Sequence, residues 1–154
     1  MSDSTTSNHV DQALRPRWPV AIIIVLFTVS YPANDFEGLN SPWHDHGEAD
    51  TSAGMLMVHA AIAVATAIVV FAVVIPWAIR HQWSGVVALA LAVVGFLLAP
   101  GFWTGAPPAV AAGGALLGWA GLDVARGRRL SQAALVIGIL GVIANVYSYV
   151  NVFV

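Results

Sequence analysis

Between Trp43 and His59 the chain carries three histidines (His44, His46, His59), three acids (Asp45, Glu48, Asp50) and two methionines (Met55, Met57), its densest set of metal-ligand atoms. Neutral imidazole suits copper, zinc, iron and nickel, carboxylates suit harder ions, and a thioether adds preference for Cu(I). His44 and His46 are two residues apart, so on an extended backbone both rings point the same way and can reach one ion. Gly47 permits a turn directly after them.

His59 lies about one turn inside a long apolar run, where an unpaired polar ring is costly. It is therefore expected to face protein. On a helix it shares a face with Ser52, Met55, Ala63 and Thr66. A loop folded over that face brings His44 or His46 close to His59, with Asp45, Glu48, Asp50 or Met55 as further ligands or as partners that fix a ring tautomer. The expected ion is copper or zinc. The competing reading is a solvated acidic loop, a histidine that packs between helices, and methionines that fill apolar gaps. Bis-histidine haem b ligation needs rings on facing helices, and His59 is the one histidine within an apolar run, so it requires a second copy of the chain.

His46 and His59 are separated by twelve residues, and this stretch resembles the H-x12-H part of the copper site in the C subunit of copper membrane monooxygenases. That family's pattern also has an aspartate four residues before the first histidine, where this chain has Pro42. The resemblance covers only residues 46–59, and implies copper in preference to zinc.

The rest of the sequence describes a membrane protein. Hydrophobic residues make up 58% of the 154 and charged residues 9%, against roughly 45 to 50% and about 25% in soluble domains. Mean hydropathy is +0.79. A bilayer core about 30 Å thick needs about 20 helical apolar residues. Five runs approach that length: about 18–33, 53–79, 84–102, 107–125 and 131–154. The fold class expected is all-α integral membrane, five transmembrane helices in a small bundle. Residues 1–17 form a polar tail expected to be disordered. The first run could instead be a secretory signal peptide, although no A-x-A-like cleavage site follows it. Its removal would leave four spans with both termini outside.

All six basic residues are arginines, and they fall in three clusters at run ends: Arg15/Arg17, Arg80 and Arg126/Arg128/Arg129. Basic residues beside span ends stay cytoplasmic. Five spans satisfy all three clusters, with a cytoplasmic N-terminus and an extracytoplasmic C-terminus. The 34–52 loop, which holds five of the eight acids, then faces outward with the metal-ligand cluster. Arginine without lysine, in an Ala/Val/Gly-rich chain, suggests a prokaryotic plasma membrane. Tryptophans 18, 43, 77, 83 and 103 fall near the expected interfaces, and Trp119 does not.

Ala111, Gly114, Gly118, Gly121 and Ala125 recur at alternating spacings of three and four. So do Ala134, Gly138, Gly141, Asn145 and Ser148. Such stripes let helices approach closely in lipid, and an inward Asn can hydrogen-bond a neighbour. A tight hairpin near Arg126 to Leu130 follows. The same faces, Gly114/Gly118/Gly121 and Gly138/Gly141/Asn145, offer contact to other membrane subunits. Asn145, Tyr147, Ser148, Tyr149 and Asn151 form either a polar pocket near the outer leaflet or interhelical glue with interfacial tyrosines.

Several function classes are excluded or disfavoured. With no cysteine there is no disulfide, thiolate metal site or cysteine nucleophile. A net charge of −2 with no long basic run argues against nucleic acid. Known nucleotide-binding, zinc-protease and hydrolase motifs are absent, and there is no internal repeat of the kind that builds transporters. The expected role is a non-catalytic accessory or structural subunit of a larger membrane complex. The alternative is an outward-facing metal-binding or metal-delivery protein.

Overall fold

The computed structural model describes residues 53–123 and 127–153, with Pro19 alone before them. Among these residues the chain is an all-helical small bundle with no strand. Five α-helices follow in order: α1 (Ala53–Ile68), α2 (Ile75–Arg80), α3 (Ser84–Leu97), α4 (Ala106–Ala120) and α5 (Arg128–Phe153). The four apolar runs that begin near 53, 84, 107 and 131 each contain one of these rods. The run at 18–33 and the loop at 34–52 lie outside the described residues.

α1 and α2 form one rod, joined without a break by a π-helical stretch, Val69–Val74. Its cause is Pro76, two residues on. Proline has no N–H, and in a regular α-helix its ring collides with the carbonyl four residues back, here Ala72. Widening the preceding turn shifts that carbonyl aside: the N–H of Ile75 donates to the carbonyl of Val70, five residues back. The rod ends in a Schellman-type cap. Gln82 takes the left-handed conformation (φ 58°), Gln82 N–H donates to the Ile79 carbonyl (3.2 Å), and Trp83 N–H donates to the Ala78 carbonyl (2.9 Å).

α3 is shorter than the 84–102 run implies. It ends at Leu97, and a 3-10 segment, Ala99–Thr104, follows. Pro100 explains the change, because it removes a donor and disfavours helical geometry at Ala99. Fourteen helical residues span about 21 Å. α4 begins after Gly105, which is left-handed at φ 69°. The Thr104 hydroxyl accepts from Ala106 N–H (3.4 Å) and donates to the Gly101 carbonyl (3.0 Å). Pro107 and Pro108 have no N–H, so the donors usually left open at a helix start are capped or missing. That makes this helix end compatible with burial, and both prolines are buried.

α4 is the centre of the molecule. Ala109, Ala111, Ala112, Leu116, Leu117 and Ala120 are all buried. The three helices α3, α4 and α5 pack mutually, and the order of their close approaches, Gly85 to Ser131, Gly141 to Phe96, Gly95 to Ala111 and Gly118 to Ser131, makes α3 and α5 parallel to one another and antiparallel to α4. The α1–α2 rod lies against α4 through Ala67, Val70, Phe71 and Ile75. Two helical stretches, Met57–Arg80 (24 residues) and Arg128–Ser148 (21 residues), are long and apolar enough to cross a membrane.

Candidate functional site

The expected metal cluster reaches the described structure only at its end. His44, Asp45, His46, Glu48 and Asp50 lie outside the described residues. Met55 is in the first turns of α1. Met57 is exposed, at 66%. His59 is half-buried, one turn before the fully buried Ala63 and on the same side of α1. Its ring makes no hydrogen bond to the described residues. Among the described residues no three His, Asp or Glu side chains converge on one point.

The two small-residue stripes meet inside the bundle. A Cβ at Gly114 would overlap the backbone of Ala92 on α3. One at Gly118 would stand 2.8 Å from Leu135 N and from the Ser131 carbonyl on α5, and one at Gly121 would strike the Ser131 hydroxyl. From the other side, a Cβ at Gly138 would come within 2.7 Å of Ala115 N, and one at Gly141 within 3.1 Å of the Ala111 methyl. These faces are thus filled by the chain's own helices. The matching stripe on α3, Gly85/Ala88/Ala92/Gly95, went unread in the sequence although its spacing of three, four and three carries the same signal. Gly95 packs directly on the Ala111 backbone. Gly113 makes a further close approach, to Val70 of the π-helical stretch.

Asn145 is fully buried. Its amide nitrogen donates to the Gly141 carbonyl of its own helix at 2.8 Å. Its Oδ1 is buried and has no partner among the described residues. The expected bond to a neighbouring helix is replaced by a bond one turn back, which asparagine in a helix makes readily. Tyr147, two residues on, is exposed, which separates the two and leaves them on different sides of α5.

The ends of the bundle differ chemically. α2 ends at Arg80, α4 gives way to a 3-10 turn at Gly121–Asp123, and α5 starts at Arg128. These termini are neighbours: a Cβ on Gly85 would lie 3.3 Å from the Gly127 carbonyl, and Gly121 abuts Ser131. Arg80, Arg128 and Arg129 are all exposed there. So are Trp77, Trp83 and Trp119, each between 40% and 56%. Trp119 joins this group because α4 ends at Ala120, several residues before the apolar run does. His81 caps the rod here, its Nδ1 2.9 Å from the Trp77 carbonyl and its ring stacked on the indole at 4.9 Å. The other end carries the start of α1, the 99–104 segment and the C-terminal turns of α5, with no Arg or Lys among the described residues.

Compared with known protein families, with characterised proteins and with solved structures, the chain matches none.

Proposed function

We propose that the chain is a small five-span membrane protein, with its N-terminus cytoplasmic, that serves as a non-catalytic accessory or structural subunit of a larger membrane complex. The observation that carries this reading is the distribution of side-chain size. Small residues fill the interior where the helices touch, while Val58, Val73, Val136, Leu140 and Ile143 point outward, each at least half exposed. In water such faces would drive aggregation; in a bilayer they meet lipid tails or neighbouring subunits. Because the glycine seams are already occupied within the chain, a partner subunit contacts these outer faces, or displaces a helix to reach Gly114/Gly118/Gly121 or Gly138/Gly141/Asn145.

Native mass spectrometry of the protein extracted from its own membranes in a mild detergent tests the reading. Co-purifying membrane chains are the expected result. A lone monomer under several gentle detergents would overturn it.

A second reading has one observation in its favour. His59 is half-buried on the inward side of α1 with its ring unpartnered among the described residues. A metal held by His44, His46 and His59, with Asp45, Glu48, Asp50 or Met55 completing the set, would give that ring a partner on the extracytoplasmic side. The same spectra then carry one copper or zinc per chain, lost in a His46→Ala/His59→Ala double variant.

A further inference from the structure

We propose that the arginine end of the bundle is a docking surface for the headgroups of anionic phospholipids, an inference that rests on the membrane reading above. Three exposed guanidiniums, Arg80, Arg128 and Arg129, lie at this end, and the exposed Asp123 lies in the 3-10 turn after α4 at the same end. The imidazole of His81 adds a further titratable group. Three half-exposed indoles, Trp77, Trp83 and Trp119, stand at the same end. Indole rings settle at headgroup depth, so they hold the guanidiniums level with the phosphates. Guanidinium is suited to phosphate because its planar fork donates two parallel hydrogen bonds.

The position of two of these arginines adds an independent reason. Arg128 and Arg129 form the first turn of α5, with no acid among its first residues. A helix start already carries partial positive charge, and cations there are disfavoured. The first intrahelical bond of α5 runs from the Ser131 N–H to the Gly127 carbonyl at 3.0 Å, so the N–H groups before it have no acceptor within the helix itself. An external anion over this turn removes the conflict. Arg80, by contrast, sits in the last turn of the α1–α2 rod, where a cation is favoured, so the surface joins a conflicted site to a relaxed one. Attraction of basic juxtamembrane residues to an anionic leaflet follows the same physics.

The test uses the full chain in detergent with an equimolar mixture of phosphatidylglycerol and phosphatidylcholine, read by native mass spectrometry. Wild type is expected to carry severalfold more phosphatidylglycerol, and an Arg80→Gln/Arg128→Gln/Arg129→Gln variant to show no preference. Helical circular dichroism of that variant establishes that it is folded. An Arg128→Lys/Arg129→Lys variant keeps the charge and is expected to retain most of the preference. Equal adducts in wild type, or a preference that survives the triple Gln variant, would overturn the proposal. So would full competition by millimolar inorganic phosphate, which would identify the site as one for the free anion. Flotation with vesicles of either lipid separates this from failure of the membrane reading: a protein that floats with both but prefers neither refutes only the headgroup site, and one that floats with neither refutes the membrane reading.

Discussion

Asn145 shows how a single polar atom can be stranded by good packing. Its amide nitrogen is satisfied within α5, while Oδ1 is sealed from solvent with no donor among the described residues. A buried unsatisfied acceptor costs about 1–3 kcal/mol, whereas replacing the group by an apolar one of similar shape is close to neutral or stabilising. Asn145→Leu is therefore expected to leave thermal stability unchanged or to raise it by about 1 kcal/mol. A loss of more than about 2 kcal/mol, measured by detergent thermal unfolding, would mean that Oδ1 holds a donor such as water or a partner group. That Asn145 turns inward was legible from its place in the small-residue stripe. Its choice of partner was not, because the bond back to Gly141 depends on the local rotamer and on how closely the next helix approaches. His59 illustrates the same division. Its cost in an apolar run implied an inward position, and it is half-buried on the Ala63 side; residues 44–50, expected to fold over it, lie beyond the described part of the chain.

At the scale of the helices, glycine marks the places where two backbones touch, and the contrast between positions is testable. Adding one methyl at Gly114 overlaps Ala92 backbone, while at Gly101 nothing lies within 4 Å. Overpacking a close contact costs about 1–3 kcal/mol. Gly114→Ala is expected to lose stability in that range, and Gly101→Ala to stay within about 0.5 kcal/mol of wild type, as surface substitutions do. Equal effects would mean that the seam is looser than the geometry requires. The π-helical stretch invites a second comparison. Val64 and Val73 are both exposed, but deleting Val73 lets the widened turn revert toward regular α-helix, while deleting Val64 rotates the start of α1 by about 100°. The Val73 deletion is expected to retain more folded protein by size-exclusion chromatography; the reverse order would show that Pro76 keeps the turn wide even with one residue fewer, so that the deletion shifts the helix register instead of relaxing the turn. Apolar run length revealed which segments are helical, and the three-and-four spacing of small residues revealed the close-packing faces of α4 and α5, though not that α3 fills one of them. Helix ends were less legible. The apolar composition continues through Ala99 and Pro100, so hydropathy alone extends α3 past Leu97, and only the backbone chemistry of proline stops it there.

For the molecule as a whole, the order of the helices gathers Arg80, Arg128 and Arg129 at one end and, among the described residues, leaves the other without a basic residue. The arginine pattern in the sequence already contained this polarity. The tryptophan ring did not emerge so clearly, since Trp119 joins it only because α4 ends before its apolar run does. If a bilayer separates the two ends, they must differ in chemical accessibility. The chain has no cysteine, so each introduced thiol is the only one present. Gly101→Cys stands at the end opposite the arginines, where a side chain meets open space. Gln82→Cys stands in the loop beside Arg80. With the positive residues cytoplasmic, a membrane-impermeant maleimide is expected to label Gly101→Cys on intact cells and Gln82→Cys only after permeabilisation. The opposite pattern inverts the orientation while keeping the spans. Labelling of both on intact cells would remove the membrane from between them, and with it the reason for an apolar exterior around an interior of glycine and alanine.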